Sequence, residues 1–164
     1  MDNDGLHGTQ EKCATKYLEA GPHVAYIEGF QAGGGVSMSA KYSGPDTDGA
    51  KILMMSGRVT SRYFPECDPA KDLSKETRFT LCMFKSLHKP PHLSTIPRIG
   101  DHVALGKLQY VGRGFVSAVD MHDAADFRSY AADTPGHFFA WAIYGSILVA
   151  IAGDYRLCII SDDG

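Results

Sequence analysis

The sequence lacks a long hydrophobic run, a basic excess and any closely spaced pair of cysteines, and each absence closes a class of function. Its longest apolar stretch, 138–152, is broken by Gly145 and Ser146 and falls short of the ~20 residues a bilayer-spanning helix needs. A net charge of -3 with histidine neutral provides no field to recruit nucleic acid or anionic lipid. The N-terminus lacks the charged-then-apolar layout of a secretion signal, so an exported parent would carry its signal outside this chain. The four cysteines, Cys13, Cys67, Cys82 and Cys158, contain no C-x-x-C pair, which argues against zinc ribbons and thioredoxin-type chemistry. Their even number allows two disulfides in three connectivities, or four buried thiols. His7, His23, His88, His92, His102, His122 and His137 are scattered without an H-E-x-x-H pair. No G-x-S-x-G elbow or phosphate loop is present. His122 and Asp123, near Asp120 and Asp126, form the densest polar cluster and read as a solvated loop.

What is present is one domain's worth of ordinary globular composition. The 164 residues are 44% hydrophobic and 21% charged, enough to bury a core and too apolar for wholesale disorder. The pattern is that of many short strands between Gly/Pro turns. Residues 12–30 read as strand, turn, strand around Gly21-Pro22. Residues 36–42, "VSMSAKY", alternate apolar and polar with the period of two of a half-buried strand. Residues 51–55 suggest a short strand, and 78–84, "RFTLCMF", another alternating one. The proline-rich 88–101 reads as a loop, and the best helix candidate, 124–132, is short and closely followed by Pro135. The strongest signal, 138–150, reads as two core strands folded around Gly145-Ser146, with Trp141 in the core. A final strand at 155–160 runs into Asp162-Asp163. The expected class is all-β, an antiparallel sandwich or barrel with long loops.

Two portions resemble the PA14 domain family. Residues 138–164, "FFAWAIYGSILVAIAGDYRLCIISDDG", resemble its first half, in which a strand runs into a loop with a Ser-Asp-Asp-Gly type motif. Residues 2–46, from "DNDGLHG" through "GFQAGGGVSMSAKYSGPD", resemble its second half. The resemblance covers 2–46 and about 96–164, with the halves in the reverse of the family's order and without the short hairpin normally set between the two motifs. It implies either a window cut from tandem repeats or a permuted single domain. Residues 1–57 would form the C-terminal half, 58–77 a linker or irregular excursion, and 78–164 the N-terminal half. The halves are expected to close into one sandwich, because half a sandwich cannot bury its face alone.

The resemblance also implies a site. In PA14 lectins an aspartate pair joined by a cis peptide bond holds calcium, and Asp162 and Asp163 match that pair. Calcium takes ~6–8 oxygen ligands, and such a cation offsets the repulsion of adjacent carboxylates. A second loop supplies the remaining ligands, often as backbone carbonyls; here Gln31, Ala32 and Gly33 stand in that place, with Gly34 and Gly35 beside the ligand. Glycines let the main chain turn its oxygens inward. The family often has Asn or Asp in this loop, and neither lies between Gln31 and Gly35. Asp2-Asn3-Asp4-Gly5 mimics the start of an EF-hand loop, but Cys13 stands at its twelfth position, so this turn is read as structural. The resemblance makes Cys13–Cys158 and Cys67–Cys82 the expected disulfides, in an oxidising compartment.

Together these readings lead to an expectation: an extracellular or cell-surface module, not an enzyme, that binds glycans through Ca²⁺, with neighbouring repeats of the same chain as further partners. Its rivals are a structural spacer or adhesion repeat without ligand, and an accessory domain of a glycoside hydrolase.

Overall fold

The computed structural model describes residues 1–3, 5–57, 67, 76–87 and 98–163. The expected excursion at 58–77 therefore lies outside the described residues, apart from Cys67, Glu76 and Thr77. Among the described residues nine strands follow in order: β1 Gln10–Leu18, β2 Gly21–Gln31, β3 Met38–Ser43, β4 Ile52–Leu53, β5 Phe79–Ser86, β6 Leu108–Val116, β7 Asp120–Met121, β8 Phe139–Val149 and β9 Gly153–Ser161. Two short helices, α1 Ile99–Ala104 and α2 Ala124–Tyr130, flank β6 and β7.

The strands form two antiparallel sheets. One has the order β1-β9-β3-β4, with β7 also beside β3; the other has the order β2-β8-β5-β6. The fold is an all-β sandwich. Each sheet contains strands from before residue 57 and from after residue 76, so neither portion has a sheet of its own.

β1 and β2 are strands, as their sequence suggests, but they do not pair with each other. β1 pairs with β9, from Gln10↔Ser161 to Leu18↔Gly153. β2 pairs with β8, from Gly21↔Val149 to Gln31↔Phe139. One two-stranded ribbon thus runs through both sheets and bends at 19–20 against 150–152, which is how sandwich corners are made. The corner is tied down by Tyr155, fully buried, whose hydroxyl donates to the Ile151 carbonyl at 2.6 Å, and by the Ala150 amide, which donates to Asp46 Oδ2 at 3.2 Å.

The expectation of two strands folded around Gly145-Ser146 is not met. β8 is one continuous strand of 11 residues. Gly145 sits mid-strand opposite Ala25, and a Cβ there would lie 2.5 Å from Phe79 Cδ1. Its glycine makes room for a ring on the neighbouring strand and does not make a turn. The continuous apolar run at 138–150 has a simple cause. Phe139, Trp141 and Ile143 face the core between the sheets, with Leu81, Met83 and Phe127. Ala140, Ala142 and Tyr144 face a second core with Phe30, Phe84 and Ile99. A strand buried on both faces loses its alternation.

One of the two helices also departs from expectation. α1 lies at the end of the stretch read as a proline-rich loop and buries Ile99 and His102. α2 falls within the best candidate segment. Its N-cap is Asp123, whose Oδ1 accepts from the Ala125 and Asp126 amides at 2.7 and 3.0 Å. Phe127 anchors it against Trp141, with ring centroids 4.9 Å apart.

Both expected disulfides are present. Cys13 and Cys158 stand directly opposite each other in the β1–β9 ladder. Cys67 joins Cys82 on β5, and no cysteine is free.

Candidate functional site

At one end of the sandwich β9 finishes, β2 turns into β3, and the segment preceding β1 lies alongside. The geometry is built from backbone pairing. Met38 of β3 pairs with Ser161 of β9, so residues 32–37 pass beside the residues that follow β9. The Asp162 amide donates to the Ser37 carbonyl at 3.2 Å, and the Asp163 amide to the His7 carbonyl at 3.1 Å. Three segments far apart in sequence therefore meet at the aspartate pair.

The side chains make the same junction. Asp163 is only 6% exposed, and its Oδ2 accepts from the Ala32 amide at 3.0 Å. Asp162 is half-buried and approaches Gly35 so closely that a Cβ there would lie 2.7 Å from Asp162 Oδ2; one at Gly8 would lie 4.0 Å from Oδ1. Gly33, Gly34 and Gly35 are exposed, while Gln31 and Ala32 are buried. All the residues expected at the site thus belong to one loop junction.

The expected cis bond between Asp162 and Asp163 is absent; no described peptide bond is cis. Asp163 instead takes a left-handed backbone, φ 64°, which Asp tolerates better than most residues. That conformation redirects the chain while leaving the peptide in its low-energy trans form.

The donor set suits a hard cation. Gln31 is fully buried; its Nε2 donates to the Gly35 carbonyl at 2.6 Å, and its Oε1 has no hydrogen-bond partner. Asn3, 8% exposed, donates from Nδ2 to Ser161 Oγ at 2.7 Å, and its Oδ1 is likewise unpartnered. A buried polar atom without a partner costs about 1–3 kcal/mol, a cost that a cation at this junction would offset. Two carboxylates and two such amide oxygens are the all-oxygen chemistry calcium prefers. Asn3 belongs to the turn read from sequence as structural. Its amide position beside Ser161 arises from the β1–β9 pairing and has no signal in the local sequence.

Other groupings are chemically occupied. Glu11 lies with Cys13 and Cys158 in the one cluster of three His, Cys, Asp or Glu ligand atoms within 4.8 Å of each other among the described residues. The two sulfurs are bonded to each other, and Lys51 Nζ holds Glu11 at 2.7 Å, keeping that carboxyl below its usual range. The cluster near His122 is a helix start. Asp123 caps α2, Asp126 Oδ2 accepts from the His122 amide at 2.7 Å, and exposed His122 lies 3.3 Å from Asp120. Trp141 is core, 0% exposed. A cleft of about 420 Å³ opens between β1 and β2, lined by Leu18, Ala25, Ile27, Leu157 and Ile159 among others, and no residue of the aspartate junction lines it. No described helix is long and apolar enough to cross a membrane.

No protein-family model matches this sequence, and no curated protein or solved structure matches it.

Proposed function

We propose that this chain is a calcium-dependent glycan-binding module of an extracellular or cell-surface protein and that it breaks no bond. The observation that carries the reading is the contact between Asp163 Oδ2 and the Ala32 amide across 131 positions of sequence. It joins the aspartate pair to the glycine-rich loop, beside the unpartnered oxygens of Gln31 and Asn3.

In this reading Asp162, Asp163, Gln31 and backbone carbonyls at Ala32 and Gly33 would hold the cation. When bound, it would offer open coordination positions to neighbouring sugar hydroxyls. The chain's own residues pre-position the donors. The Asp162 and Asp163 amides are anchored on Ser37 and His7, and the Gln31 amide is fixed by Gly35. Gly35 and Gly8 leave the approach to Asp162 free of side chains. The two disulfides support an oxidising compartment.

A second reading, a structural spacer, draws support from the same contact. The buried Asp163 carboxylate satisfies a backbone amide and can staple the loops with no ligand present. Calcium titration by calorimetry, with melting in calcium and in chelator, separates the two. A lectin site is expected to bind saturably and to raise stability by about 2.7 kcal/mol at a hundredfold excess over Kd. Asp162→Ala should abolish both effects. A cooperative melt indifferent to calcium, with no heat of binding, would leave the spacer.

A further inference from the structure

The cleft between β1 and β2 is walled by consecutive residues, 16–19 of the first strand and its end and 23–27 of the second. Side chains of a strand alternate between its two faces, so successive residues line an opening only where it exposes the strand's edge. Both strands end their sheets.

The β2 edge turns backbone groups towards this opening. Val24 stands opposite Ser146, whose carbonyl accepts from the Gly57 amide at 2.6 Å. Phe138, just ahead of β8, likewise turns its carbonyl to the Ser86 amide of β5. Even-numbered positions of this chain therefore face away from β2, and Val24↔Ser146 is a pair without ladder bonds. The Val24 amide and carbonyl point to the open side, and neither has a partner among the described residues. Open edges are ordinarily guarded by charge or proline. β1 carries Glu11, Lys12 and Lys16, but residues 23–27 of β2 include no Asp, Glu, Lys or Arg.

Behind this edge the interior is apolar and incompletely covered. Ala25 and Ile27 of β2, with Leu157 and Ile159 of β9, pack on the core yet are only half-buried. Lys16 pairs with Tyr155 and Lys12 with Ile159, and directly opposite residues project from the same face. Both lysines therefore rise from the core side of β1, where the second sheet, ending at β2, leaves them exposed. Neither has a partner among the described residues. Glu19 lies at the corner end of the cleft, and the lysines follow one another away from it.

We propose that β2 accepts an extended segment of a partner protein as an added strand, with alternate apolar side chains entering the cleft and a carboxylate meeting Lys16. A second copy of this chain fits less well. Pairing β2 with β2 across a two-fold brings the two β1 strands, with the same inward lysines, towards each other.

The test uses the whole chain and a synthetic peptide of alternating valine and threonine with glutamate at each end. Calorimetry follows binding, and hydrogen exchange follows the Val24 amide, which should exchange freely alone and become protected with peptide. The same peptide with its backbone nitrogens methylated should not bind. Val24→Pro removes an amide that the β8 ladder does not use and should weaken binding about tenfold. Lys16→Glu, at an exposed position, should weaken it about threefold even if the proline variant unfolds. Absence of binding to wild type would overturn the proposal, as would equal affinity for the methylated peptide or a Val24 amide left unprotected in the complex. Val24 protection that rises with protein concentration without peptide would give the edge to a second copy and overturn the partner.

Discussion

The Cys13–Cys158 bridge controls more of this protein than its single bond suggests. β1 is an edge strand in which only Leu18 is buried, so side-chain packing contributes little to its hold. It is kept in place by its ladder to β9 and by the disulfide at Cys13↔Cys158. The two cysteines are 145 positions apart, and closing a loop of that length restricts the unfolded chain by about 5 kcal/mol on the chain-entropy account. That is a large share of the ~5–15 kcal/mol by which domains are stable. Replacing both cysteines with alanine should therefore lower the urea midpoint strongly and steepen the slope, because the unfolded chain, no longer cross-linked, exposes more surface. It should also raise hydrogen exchange selectively in β1. Because the Asp163 amide donates to the His7 carbonyl just ahead of β1, that amide should lose protection with it. β5 and β8, buried on both faces, should stay protected until global unfolding. Unchanged β1 exchange together with a loss below about 1 kcal/mol would refute the reasoning, and would mean the ladder alone holds the strand.

Three further substitutions follow from close contacts and burial. Gly44→Ala places a Cβ 2.3 Å from Cδ1 of the buried Tyr155 ring; overpacking of this kind should cost about 1–3 kcal/mol in urea unfolding, and a neutral result would mean the corner relaxes freely. Gly35→Ala would bring a methyl 2.7 Å from Asp162 Oδ2, so calorimetry should show weakened calcium binding with a melting temperature near wild type; equal calcium affinity would place Asp162 outside the site. His102 is 4% exposed, and burial, followed by the charge of Lys107, pushes its imidazole below the usual range. The unfolded chain then binds the proton more readily than the folded one. Its contribution is present above the unfolded pKa of about 6.5 and is lost as pH falls through that value towards the folded one. His102→Leu should flatten the dependence of the urea midpoint on pH below about 6.5, and an unchanged slope would assign that dependence to other groups.

Local chemistry determined much of this protein directly. Alternation at 36–42 marked β3. That signal is readable because side-chain direction depends on near neighbours in the chain. The aspartate pair and the glycine-rich loop were visible as chemistry for the same reason.

What the tertiary structure alone decided is long-range. Gly145-Ser146 looks like a turn until Phe79 is seen to occupy the space a Cβ would take. The α1 helix is invisible beside its prolines until Ile99 and His102 find a second core to bury against. The strands β1 and β2 look like a hairpin until each takes its partner from the far end of the chain, in a different sheet. That same exchange of partners brings Asn3, Gln31 and Asp163 to one corner. Register between strands more than a hundred residues apart is set by which faces must be buried together, and no window of local sequence contains that information.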